Sequence, residues 1–138
     1  MLIRTFISIL ILAVSLPVSN AQHFIGEKKD EVRRLMAEHV KNLFEDTSSR
    51  NPSVNMIKYT NRLQDQTLIF VFDEEDNCRY SKHMCDYALL KRMTDKLDGE
   101  YERLNDTAWT YVHEGSVYNI TLKKDEWYFV LDTRRAEE

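Results

Sequence analysis

Cys78, His83 and Cys85 form a C-x4-H-x-C cluster, the densest grouping of soft metal or thiol ligands in the chain. A structural zinc site takes four ligands, and with only two cysteines in the chain no second cluster completes this one. Thiol redox chemistry wants a C-x-x-C pair or a thiolate-stabilising site, and neither is visible. The run Asp73-Glu74-Glu75-Asp76-Asn77 offers oxygen ligands at alternate positions. A calcium loop in that register needs Gly sixth and Glu twelfth, where Cys78 and Met84 stand, so the run reads as a solvated turn. Ser, His and Asp residues occur without a nucleophile elbow. His23 falls near a terminus, His39 on an apolar helix face and His113 beside a turn. No catalytic residue, metal or cofactor is assigned on these grounds.

Aromatic residues are the remaining chemical resource. Trp109, Tyr111, Tyr118, Trp127, Tyr128 and Phe129 concentrate in the last third of the chain. They either fill a core or form a contact surface on an open sheet face, for which Trp109, Tyr111, Trp127, Tyr128 and Phe129 are the candidate residues. Neighbouring strand residues point to opposite sides, so Tyr128 is expected on one face and Trp127 with Phe129 on the other.

The elements that position these residues follow from periodicity. Val32, Leu35, Met36, His39, Val40, Leu43 and Phe44 recur at helical spacing and predict a helix from about Lys28 to Phe44. Strands are expected near Val54 to Thr60, Gln66 to Phe72 and Cys78 to Lys82. A second helix starts behind Asp86 as N-cap and carries a stripe from Tyr87 to Leu104, with Gly99 marking a kink or an early end. Ala108 to His113 and Ser116 to Leu122 flank the hairpin signal Glu114-Gly115, and a last strand spans Trp127 to Asp132. The predicted fold is α+β, a two-layer sandwich of two helices on an antiparallel sheet, in the order α-β-β-β-α-β-β-β. Lys58-Tyr59 and Thr110-Tyr111 occupy comparable places and suggest a duplicated helix-meander unit. An unbroken strand through Cys78 and Cys85 would separate their Cα atoms by about 23 Å, whereas a disulfide needs about 4.4 to 6.8 Å. Strand and disulfide exclude each other, and the absence of Gly and Pro between them favours the strand.

Arg4, the apolar run Phe6 to Val14 and the small-x-small sequence Ser19-Asn20-Ala21 have the layout of a secretory signal peptide. Cleavage after Ala21 would leave a single domain over 22–138, with 18 basic against 23 acidic residues and a net charge of −5. Charges of both signs are interspersed, so nucleic acid is not an expected partner, and no later apolar stretch reaches membrane-spanning length. The protein is expected to be secreted or periplasmic.

The element order, the size and the signal resemble the small exported bacterial domains grouped as PepSY-like or β-lactamase-inhibitor-protein-like. The opening Gly26-Glu27-Lys28-Lys29-Asp30-Glu31-Val32 is similar to the helix entry of SmpA-type outer-membrane assembly proteins. The resemblance implies a non-catalytic envelope domain that binds protein or peptide. A small secreted hydrolase, or an inhibitor of one, is the alternative.

Overall fold

The computed structural model describes residues 23–48 and 53–137, and the expected signal segment lies outside the described residues. Over the described residues the chain is α+β and runs through two successive units of one helix and four strands. The first comprises α1 (Lys29–His39), β1 (Phe44–Glu45), β2 (Met56–Thr60), β3 (Gln66–Phe72) and β4 (Cys78–Asp86). A 3-10 turn over Tyr87–Leu89 leads into α2 (Leu90–Glu100), β5 (Glu102–Asn105), β6 (Ala108–His113), β7 (Ser116–Lys124) and β8 (Tyr128–Arg135).

All eight strands among the described residues join one antiparallel sheet in the order β1-β2-β3-β4-β8-β7-β6-β5. This corrects the expected two-layer sandwich with three strands after each helix. Each unit has a fourth strand, because both helices end earlier than the apolar periodicity suggested. α1 stops at His39, where Val40 turns to extended backbone with its N–H on the Met36 carbonyl, and Phe44 pairs with Thr60 instead of prolonging the helix. α2 stops at Glu100, one residue past Gly99, and Glu102–Asn105 becomes an edge strand. Seven gaps of about 4.8 Å make the sheet roughly 34 Å wide, against about 20 Å for two helices of about 10 Å each. Two helices therefore cannot close a layer over it.

Cross-strand pairing fixes which side chains share a face. Ile57 pairs with Phe70, Phe70 with Ser81, Ser81 with Thr133, Thr133 with Ile120, and Ile120 with Trp109. Directly opposed residues point the same way, so all six lie on one side. On that side α1 buries Val32 and Met36 among Ile57, Tyr59, Phe70 and Phe72, while α2 buries Leu97 among Cys85, Trp109, Ile120 and Phe129. Tyr111 packs against both clusters. Trp109, Phe70 and Phe129 are fully enclosed, and burying a side chain such as Phe contributes about 1.5–3 kcal/mol.

The strand order is unchanged when the first four strands are exchanged with the last four, and the pairing agrees. Phe70 sits between Ile57 and Ser81 as Ile120 sits between Trp109 and Thr133, so a pseudo-twofold axis passes between Ser81 and Thr133. Lys58-Tyr59 and Thr110-Tyr111 fall in the equivalent strands β2 and β6.

Local chemistry explains the junctions. Glu114 and Gly115 both take positive φ, 48° and 80°, between the paired residues His113 and Ser116, as a two-residue hairpin requires. Asp86 accepts a hydrogen bond from the Ala88 N–H at 2.8 Å and caps the turn into α2. Gly26, at φ 87°, donates its N–H to the Cys78 carbonyl at 2.7 Å and ties the segment before α1 to β4. No helix among the described residues is long and apolar enough to cross a membrane.

Candidate binding site between the helices

Because the helices do not meet over the middle of the sheet, a crevice of about 260 Å³ remains between them. Its floor is the sheet centre around the pseudo-twofold axis, with Ser81, Thr133 and His83 as polar groups among Leu68, Phe70, Ile120 and Leu131. α1 contributes His39 and, just past its end, Val40; α2 contributes Met93, Lys96, Leu97 and Glu100, and Tyr101 follows. Phe24 and Ile25 close one side. The lining is apolar with a few convergent polar groups, the usual make-up of a small-ligand site.

The polar groups differ in how they are engaged. His83 Nε2 lies 3.0 Å from Gln66 Oε1, its cross-strand neighbourhood on the same face. Burial, with Lys96 adding a like charge, pushes the His83 pKa down to about 4, so the ring is neutral at neutral pH. Ser81 is 9% exposed and makes no side-chain hydrogen bond among the described residues. Among the described residues no fully enclosed side-chain oxygen or nitrogen lacks a partner, so the Ser81 hydroxyl opens onto the crevice. The hydroxyls of Thr133 and Tyr101 are likewise unengaged among the described residues, and burial raises the Tyr101 pKa to about 12, keeping it a neutral phenol. Neither Lys96 nor Glu100 forms an ion pair among the described residues.

The aromatic residues singled out from the sequence do not assemble into one surface. Trp109 and Phe129 are in the core, and the Trp109 Nε1–H donates to Asp98 Oδ1 at 2.8 Å, fastening β6 to α2. Arg103 lies over the Trp109 ring at 5.3 Å and bonds the same Asp98 at 3.0 Å. Tyr111 lines the crevice, stacks on Tyr118 at 5.2 Å, and shares a 2.9 Å hydrogen bond with His23 Nδ1. Tyr128, 36% exposed, is on the face away from the helices. Trp127 is 78% exposed and sits in the turn before β8, so strand alternation does not pair it with Phe129 as expected.

Cys78 and Cys85 occupy the two ends of β4 as free, buried thiols. Burial pushes both pKa values up to about 12, so neither is a thiolate at neutral pH. No group of three or more His, Cys, Asp or Glu residues placed to hold a metal occurs among the described residues. In the acidic turn, Asp73 Oδ1 accepts from the N–H groups of Glu75 and Asn77 at 2.9 Å each, so it is a turn-capping residue.

Ser81, Lys96 and Thr133 were not picked out from the sequence, and His83 was weighed only as a metal ligand beside Cys78 and Cys85. These four crevice residues come from three elements and share no local motif, and only the sheet register brings them together. Comparisons with family models, curated proteins and solved structures return no match for this chain.

Proposed function

We propose that this protein is an exported, non-enzymatic binding module that takes a small ligand in the crevice between α1 and α2. The observation that carries the reading is the set of unengaged hydroxyls, Ser81, Thr133 and Tyr101, opening into a mostly apolar cavity. A polar group in an apolar recess is costly unless it is hydrogen-bonded, and a ligand offers the missing partner. His83 supports recognition over catalysis. A general base works best with a pKa near the ambient pH, whereas this ring is held near 4 and is engaged by an amide, not by an orienting carboxylate. The export component rests on the signal-like sequence of residues 1–21.

A fragment screen followed by backbone NMR of the isotope-labelled chain tests the site. Binders should shift the amides of Leu68, Ser81, His83, Leu97 and Thr133, and Ser81→Leu, which fills the crevice, should abolish those shifts. Shifts confined to the opposite face around Tyr80 and Tyr128 would overturn the reading. N-terminal sequencing of the exported product should begin near Gln22, and a native product that keeps Met1 would remove the export component.

A further inference from the structure

Granting the crevice as the ligand site, its charge distribution says what kind of molecule it takes. Lys96 and Glu100 stand one turn apart on α2, both lining the cavity and both without an ion-pair partner among the described residues. Their fields act in different places. The Lys96 charge is felt at His83 on the floor, where no carboxylate offsets it. The Glu100 charge is felt at the Tyr101 phenol, at the wall. Of the two charges, Lys96 is the one that reaches the floor group His83, and the floor's other polar side chains, Ser81 and Thr133, are hydroxyls able to donate.

We propose that the crevice binds a small carboxylate with an apolar body, the carboxylate held by Lys96 with Ser81 and Thr133 donating to it, and the body lying against Leu68, Phe70, Ile120 and Leu131. Charge-assisted hydrogen bonds are about twice as strong as neutral ones, so an ionised head group uses this donor set better than an amide or alcohol does. A cavity of about 260 Å³, against about 30 Å³ for one water in the liquid, has room for a small ligand in place of roughly nine waters. Short-chain and aromatic acids, such as hexanoate and benzoate, are the right size. An amine head group would pair with Glu100 instead, and the comparison of acid with amine decides between the two.

The experiment compares hexanoate, hexanamide and hexylammonium by NMR titration of the whole chain and of Lys96→Met and Lys96→Arg. Lys96 is exposed, so both variants should fold, as circular dichroism verifies. Hexanoate should bind about tenfold more tightly than hexanamide, with shifts around Ser81 and Thr133, and hexylammonium should bind more weakly than hexanoate. Lys96→Met should erase the preference for the acid and Lys96→Arg should keep it. Equal binding of acid and amide, stronger binding of the amine, or an acid preference that survives Lys96→Met would overturn the carboxylate assignment while leaving the crevice as a site. Failure of all three probes to shift crevice amides, in a chain whose fragment screen also fails there, would remove the site itself.

Discussion

His83 shows how one buried group connects the site to the stability of the fold. Its folded-state pKa is near 4 against an ordinary value of 6.5, first because burial disfavours the charged ring and second because of Lys96. Between those values the unfolded chain takes up a proton that the folded chain refuses, so stability falls as the pH drops from about 6.5 to about 4. At about 1.4 kcal/mol per pKa unit, the group accounts for up to about 3 kcal/mol of that loss. Urea unfolding across this range should show a shallower decline in His83→Gln than in the unaltered chain. Parallel curves for the two would mean that His83 is solvated and titrates normally. His23 adds in the same direction, since burial and the stacked His113 ring, 4.0 Å away, lower its pKa.

At the scale of single elements, β8 is a strand whose pleat assigns its residues opposite fates. Phe129 pairs with Cys85 in the core, Tyr128 pairs with Asp86 on the open face, and Trp127 stays outside the strand. Phe129→Ala should cost about 3–5 kcal/mol in chemical denaturation, whereas Trp127→Ser and Tyr128→Ser should each change stability by less than about 0.5 kcal/mol. A large loss at Trp127 would show that the turn packs against something the fold does not supply. How legible each element was in the sequence follows from its burial. Strands β3 and β6 were placed at their true limits because apolar and β-branched residues end at clear turn residues. β5 was missed because Glu102, Arg103, Leu104 and Asn105 are all exposed and carry no alternation. The helices were drawn too long because Leu43 and Tyr101 continue the apolar spacing yet serve the core from non-helical backbone. The crevice was illegible for another reason: it depends on the register that sets Ser81 opposite Thr133 and on the gap that short helices leave over a wide sheet.

For the whole molecule, the seam between β4 and β8 decides whether two similar halves behave as one body. Seven residue pairs cross it, from Tyr80↔Arg134 to Asp86↔Tyr128, and on the helix-bearing side they set Cys85 against Phe129, His83 against Leu131 and Ser81 against Thr133. Tyr111 on β6 stacks on Tyr118 of β7, and Tyr111 touches the buried clusters of both units. The N-terminal segment bridges them too, with His23 against Tyr111 in the second unit and Phe24 against Phe70 in the first. Central strands buried in this way open only when the whole sheet does, while β1 and β5 at the margins have one free side each. Hydrogen exchange should therefore find the slowest amides in Ser81–Cys85 and Phe129–Thr133, at protection matching the global unfolding free energy, and much faster exchange in β5. Denaturant unfolding followed by tryptophan fluorescence and by circular dichroism should give one coincident transition. If β4 and β8 exchange faster than β2 and β6, the halves are separately stable, the crevice at their seam is a hinge, and any ligand held there must bind to a moving floor.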